Sequence, residues 1–393
     1  MGWVSRLKRC EQIHTATEET TAMRHLSPTR LLPALAAALL AAGCDDSPLL
    51  QEPEVPEPIA TSAGDVPSLA NPRWASGYAL ASSPLTPSYD LSGTSFSYNQ
   101  SGGAIVITKP AGTTGRWIAR FAGLSALLGG KSTVLVNAYS NGAAYCKPVQ
   151  GYLANDKVEV RCFNAGTKAP ADVGFNVIVF GGATDPAFAF AHQPTATDYR
   201  PHAAGSFNPS GSMRVFRDGV GQYRVVFNGL GTRRSPTLGG HVQASAVGTG
   251  KHHCKTTELG GSPNLTVRVR CYGAGGSPAD AKFSVFFTTP SGHLAYAWGD
   301  RPTTPSYTPF PAYTSNPTGG SVYISRIATG SYKVEWQGIA DEIIDGGTVR
   351  ANAYGQGNAQ CKGVDVGEEF AVVQCFKPDG SPVDSYFMVF FGS

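Results

Sequence analysis

Three segments of this chain repeat one another: CFNAGTKAPADVGFNVIVF from Cys162, CYGAGGSPADAKFSVFF from Cys271 and CFKPDGSPVDSYFMVFF from Cys375. Self-similarity at domain length restricts the fold to tandem copies of one unit. The copies extend upstream. An aromatic-Ala-apolar trio opens each unit (Tyr78-Ala79-Leu80, Phe188-Ala189-Phe190, Tyr296-Ala297-Trp298), followed by Pro84, Pro194 or Pro302 and a tyrosine five residues later. Gly115, Gly221 and Gly330 then introduce GRWIARFAGL, GQYRVVFNGL and GSYKVEWQGI. From Tyr78 to Phe188 and from Phe188 to Tyr296 the period is 110 and 108 residues. The units therefore occupy 76–183, 184–291 and 292–393.

Within a unit the side chains alternate with period two, which predicts strands. Trp117, Ala119 and Phe121 share one face and Arg116 and Arg120 the other; Tyr332, Val334 and Trp336 repeat this against Lys333, Glu335 and Gln337. One face is buried and one wet. Val158 and Val160 align with Cys162, and Val267 and Val269 with Cys271, so the cysteine looks inward. Phe175 to Phe180 is apolar on both faces and reads as a central strand. No long stretch after residue 75 has a helical period. Roughly seven short strands per ~100 residues, with Gly, Asn and Pro turns between them, predict an all-β chain of three tandem Ig-like β-sandwiches of about 100–110 residues.

The cysteines agree with this division. Of eight, Cys10 and Cys44 precede the repeats and each unit owns two. Six cysteines allow 15 pairings, but the repetition selects Cys146–Cys162, Cys254–Cys271 and Cys361–Cys375. A bridge closing a loop of about 15 residues stabilises a domain by about 3 kcal/mol, which a small sandwich core needs. The prolines at 170, 278 and 382 interrupt the chain before the last strand, and Asp172, Asp280 and Asp384 follow them as turn residues able to accept backbone N–H bonds. One carboxylate per unit, without an acidic cluster, argues against a Ca²⁺ role. His252-His253-Cys254 occurs in one repeat and spends its cysteine on the pair, so no metal or other cofactor is expected.

The segment before the repeats has another character. From Met23, taken as the true start, MRHLSPTRLLPALAAALLAAGC gives a basic region (Arg24, Arg30), an apolar run from Leu31 to Leu40 and small residues before Cys44. This is an export signal, too short for a bilayer-spanning helix of about 20 apolar residues. Residues 1–43 are thus an upstream extension plus signal, and 44–75 an acidic, Pro-rich spacer. Leu40-Ala41-Ala42-Gly43-Cys44 resembles the lipobox of bacterial lipoproteins, which implies an acylated Cys44 and a chain anchored to a membrane in the cell envelope. Each buried methylene of such a lipid contributes about 0.8 kcal/mol.

No recurrent group able to do covalent chemistry is legible: after the signal there is no G-x-S-x-G, S-x-x-K, H-E-x-x-H or P-loop, and the histidines occupy no equivalent positions. Lys and Arg number 31 against 28 Asp and Glu, a near balance for the chain as a whole. The middle unit is locally basic, with Arg233, Arg234, Lys251, His252 and Lys255 in or near its loops. The phrases Gly-x-aromatic-x-Val, Val-x-Ala-x-Ala-Tyr-Gly and Cys-Phe-x-x-x-Gly-x-Pro-x-Asp-x-x-Phe resemble a tandem repeat of uncharacterised secreted bacterial proteins. That resemblance implies an extracytoplasmic all-β module and supplies no catalytic residue.

The units differ most in AGLSALLGGKST, NGLGTRRSPTLGG and QGIADEIIDGG, and variable loops on a rigid scaffold are where binding usually lies. A non-enzymatic interaction protein is the reading, with Arg233, Arg234, Lys251 and His252 as candidate contacts and an envelope polysaccharide or surface protein, not nucleic acid, as partner. A structural spacer is the alternative, and an enzyme with a site in one divergent loop the third. The short connections between units predict a semi-rigid rod.

Overall fold

The alternating segments are strands in the computed structural model, which describes residues 75–181, 186–233, 239–290, 294–342 and 347–392. The segments read as signal, Cys44 and spacer lie outside them. Repeat 1 forms β1 (Gly77–Ala81), β2 (Ser88–Asp90), β3 (Ser97–Asn99), β4 (Ile105–Thr108), β5 (Arg116–Phe121), β6 (Ser132–Ala138), β7 (Ala144–Pro148), β8 (Lys157–Asn164) and β9 (Phe175–Gly181). Repeat 2 forms β10 (Ala187–Ala191), β11 (Asp198–Tyr199), β12 (Met213–Gly219), β13 (Gln222–Phe227), β14 (His241–Val247), β15 (His253–Gly260), β16 (Leu265–Tyr272) and β17 (Lys282–Thr288). Repeat 3 forms β18 (Leu294–Gly299), β19 (Ser306–Tyr307), β20 (Val322–Ala328), β21 (Ser331–Trp336), β22 (Thr348–Ala353), β23 (Gln360–Val366), β24 (Phe370–Phe376) and β25 (Phe387–Gly392). The four-residue α1 (Leu124–Leu127) sits between β5 and β6. The chain is all-β.

Each repeat folds into an outer sheet, ordered β2-β4-β5-β8-β7, β11-β12-β13-β16-β15 or β19-β20-β21-β24-β23, facing an inner sheet, ordered β3-β1-β9-β6, β10-β17-β14 or β18-β25-β22. The edge strands β2, β11 and β19 are two or three residues long, too short to leave an alternation in the sequence. Trp117, Ala119 and Phe121 are buried in the sandwich core as expected. One aromatic pair crosses each core at the same place: Trp117–Phe175, Tyr223–Phe283 and Tyr332–Phe387, with centroids 5.5, 4.9 and 4.9 Å apart.

The disulfides are Cys146–Cys162, Cys254–Cys271 and Cys361–Cys375. Each joins directly opposed residues of neighbouring strands, β7 to β8, β15 to β16 and β23 to β24. The staple secures the edge of the outer sheet; it does not bridge the two sheets.

Asp172, Asp280 and Asp384 do not cap their own turns. Each carboxylate accepts the amide N–H of the glycine immediately before β5, β13 or β21, Gly115, Gly221 or Gly330, at 2.8, 2.9 and 2.8 Å. A cation pairs with each: Lys109, Arg217 or Arg326. Tyr223 and Tyr332 also donate their hydroxyls to Asp280 and Asp384, at 2.9 and 3.1 Å. In repeat 1 Trp117 stands at that position, and its Nε1 has no partner.

The rod is not formed. The inner sheets are buried on both faces because their second faces pack on one another: Tyr78, Leu135, Ile178, Phe286, Tyr296 and Phe390, drawn from all three repeats, belong to one buried cluster. Polar bonds rivet the same faces together. Arg350 donates to the Ala244 carbonyl at 3.0 Å and Gln243 to the Met388 carbonyl at 3.1 Å. The described residues lie within one compact unit.

Candidate functional site

In all three repeats a lysine follows the first cysteine: Lys147 on β7, Lys255 on β15 and Lys362 on β23. Alternation turns the cysteine into its own sandwich and the lysine outward. Outward here means into the neighbouring repeat, so the three side chains are buried, with 2%, 1% and 1% exposure. They line one cavity of about 50 Å³ at the junction of the repeats. The matching positions Asn137, Ser245 and Asn352, at the ends of β6, β14 and β22, line it too, as does Arg350. No Asp or Glu is among the lining residues.

The lysines engage the neighbours in a cycle that is left open at one place. Lys362 of repeat 3 donates to the Gly142 carbonyl of repeat 1 at 2.6 Å and to the Ser140 carbonyl. Lys255 of repeat 2 donates to the Gln356 carbonyl of repeat 3 at 3.0 Å. Repeat 1 meets repeat 2 through backbone and ring contacts: Tyr145 donates to the Lys251 carbonyl at 2.8 Å, and Gly248 N–H to the Pro148 carbonyl at 3.0 Å. The Nζ of Lys147 has no hydrogen-bond partner, nor has Nδ2 of Asn137.

Electrostatics follow from this donor-rich lining. Burial depresses the ammonium groups of Lys147 and Lys362 to about 7 and that of Lys255 to about 8, the last helped by Arg270. Burial, then the neighbouring Lys147, holds His252 below the usual histidine range. Burial takes His253 to about 3, although its ring is 3.0 Å from the Asn358 carbonyl oxygen. Among the described residues no group of three His, Cys, Asp or Glu is placed to hold a metal.

The residues singled out in the sequence separate into two places. Lys251 and His252 stand in the turn between β14 and β15; Lys251 is exposed, and half-buried His252 lines the cavity. Arg233 ends a 3₁₀ turn, Leu230–Arg233, at the other end of β14, and Arg234 lies outside the described residues. A seven-residue strand separates the two places, about 20 Å at 3.3 Å per residue. Lys255, grouped with them as a loop residue, is on a strand and buried.

The variable segments have a common base. Gly123, Gly229 and Gly338, all in the left-handed region at φ 77°, 73° and 76°, donate their N–H to Asp156, Asn264 and Glu369 at 2.8, 2.9 and 2.8 Å. These acceptors occupy the hairpin before or beside β8, β16 and β24. Above this base the tips diverge: α1 in repeat 1, Leu230–Arg233 in repeat 2 and the 3₁₀ turn Ile339–Glu342 in repeat 3. Since β6, β14 and β22 end together at the cavity, the segments that precede them leave from the opposite end of the same strands.

The lysines were missed although Cys-Lys occurs three times in the sequence. In an isolated sandwich that position faces water, where lysine is unremarkable; only the packing of repeat on repeat buries it. Comparison of the chain with protein-family models, curated proteins and solved structures finds no match.

Proposed function

We propose that this is an exported, non-enzymatic interaction protein, held at the cell envelope by lipid on Cys44, whose contacts come from the segments before β6, β14 and β22. Three disulfides belong to an oxidising, extracytoplasmic environment, and among the described residues no helix is long and apolar enough to cross a membrane. The observation that carries the reading is the shared base under divergent tips. The Gly123, Gly229 and Gly338 anchors are the same in kind, while the residues above them differ in length, charge and local structure. A scaffold that holds three different tips at fixed separations favours a partner with several contact points, because linked weak sites gain avidity when their spacing lets them engage together.

An envelope polysaccharide or surface protein is the partner class. The test is binding of the mature chain to a panel of both, followed by replacement of 228–240 by 337–347. Loss of at least tenfold in affinity supports the reading; unchanged binding after each of the three segments has been exchanged in turn replaces it with the structural-spacer alternative. Intact mass of the exported protein tests the anchor separately, since an unmodified N-terminus beyond residue 44 overturns lipidation alone.

A further inference from the structure

The junction cavity presents a charge problem that the chain itself does not solve. Lys147, Lys255, Lys362 and Arg350 converge on it, and the lining residues include no carboxylate. Arg350 has its guanidinium bonded to Gln243 and to the Ala244 carbonyl, and Lys255 and Lys362 have carbonyl acceptors. Neutral acceptors orient these cations without cancelling their charge. Lys147 lacks even an acceptor, while 98% of its surface is withdrawn from solvent. A buried cation without a partner is costly unless it is neutralised by deprotonation or by a counter-ion.

We propose that the cavity is a binding site for one small inorganic oxyanion of the sulfate or phosphate class, with Lys147 as its principal ligand and Asn137 Nδ2 as a second donor. The size fits this class. A water needs 10–15 Å³ of such space, and about 50 Å³ is present, enough for an ion of about five heavy atoms and too little for a sugar phosphate or a polymer segment. The chemistry fits as well: Lys147 and Asn137 are donors with nothing to donate to, and the anion completes the cycle that Lys255 and Lys362 close with backbone carbonyls. Bound there, it joins repeat 1 to repeat 2 where no lysine-to-carbonyl bond does. The site lies at the opposite end of β6, β14 and β22 from the variable segments, so it stands independently of the loop reading.

The groups facing the site are the three lysines, Arg350, His252, His253 and Tyr145. Between pH 7 and 9 the histidines are neutral, burial keeps Tyr145 protonated, and Arg350 stays charged at neutral pH although burial lowers it. The lysines titrate across this window, and Arg350, lowered by burial to about 9, joins them only at its upper end; cations that lose their protons lose the anion.

Sulfate is the probe because it does not itself titrate in this range. Calorimetric titration of the mature protein with sodium sulfate at pH 7 is expected to show saturable binding of one ion, with sodium chloride at matched ionic strength as the blank. The dissociation constant should rise about tenfold from pH 8 to pH 9 if one lysine proton is taken up on binding. Lys147→Met should weaken binding at least tenfold, and Lys157→Met, on an exposed position of β8, should leave it unchanged. Phosphate in a parallel titration distinguishes the two ions within the class. Absence of saturable binding by both ions, an effect reproduced by chloride, or a dissociation constant constant across pH 7 to 9 overturns the proposal. Because the pH series uses the unaltered protein, it decides the matter even if Lys147→Met does not fold.

Discussion

Phe180 of the first repeat lies over Phe286 of the second, with ring centroids 4.2 Å apart and planes inclined by 29°. Phe390 of the third completes the triangle at 6.4 and 6.2 Å. A ring from each repeat therefore sits in the same buried cluster, and the sandwiches depend on one another for part of their apolar burial.

Phe286→Ala is accordingly expected to destabilise the whole protein. Truncating a buried phenylalanine costs about 3–5 kcal/mol, and here the cavity would open between repeats. Chemical denaturation followed by intrinsic fluorescence should show one cooperative transition moved to lower denaturant. Three separate transitions, of which only one moves, would mean that the repeats fold as independent beads.

The disulfides give a related expectation. Replacing Cys254 and Cys271 by alanine reopens a loop with a sequence separation of 17, and restoring that freedom to the unfolded chain costs about 3 kcal/mol. Because β15 also carries Lys255 against repeat 3, hydrogen exchange should accelerate at Gln356 and its neighbours as well as in repeat 2. Protection unchanged outside repeat 2 would confine the staple to its own sandwich.

Asp172 and Asp280 offer an internal comparison. Both accept a glycine N–H and pair with a cation, but only Asp280 also takes the hydroxyl of a tyrosine, Tyr223. Asp280→Ala should be more damaging than Asp172→Ala by at least the worth of one hydrogen bond, about 1 kcal/mol, since Arg217 also holds Asp280 through two guanidinium nitrogens where Lys109 gives Asp172 one ammonium. Equal midpoint shifts for the two variants would show that the tyrosine bond adds nothing.

Much of this architecture is legible in the residues. The face shared by Trp117, Ala119 and Phe121 is the core face of β5, and the cysteines pair within repeats as the repetition implies. What the residues did not disclose is where the second apolar face of the inner sheets goes. Tyr78 and Ala79 read as one apolar trio, yet Ala79 faces the sandwich core and Tyr78 the other repeats. Alternation identifies two apolar faces and is silent on whether the second meets a sheet of the same unit or of another. The same gap hid the site. Lys147, Lys255 and Lys362 occupy positions that a lone sandwich would leave in water, and their burial is a property of the assembled repeats. The Asp reading failed for a different reason: a carboxylate after a proline satisfies local turn chemistry, and its true acceptor role, 57 residues away in repeat 1, has no local signature.

The buried lysines also set how stability responds to pH in the absence of an added anion. Lys147 and Lys362 titrate at about 7 and Lys255 at about 8 in the folded chain, against about 10.4 when unfolded. Between those values the unfolded chain binds more protons than the folded one, so stability rises with pH across that interval. Below about pH 7 the folded lysines are charged and the full penalty is present; above about 10.4 neither state holds the protons and the gain is complete. Burial depresses His241 and His253 to about 3, so their contribution also grows with pH, but it is complete once the unfolded histidines lose their protons near 6.5. Arg350, lowered by burial to about 9, adds to the rise in the same direction at the top of the range, so the window from pH 7.5 to 9.5 reports the buried cations, chiefly the lysines. Thermal denaturation in chloride buffers should show a melting temperature that climbs across this window, and Lys147→Met should flatten the climb. A melting temperature that falls from pH 7.5 to 9.5 would mean that the lysine charges are already compensated in the folded protein.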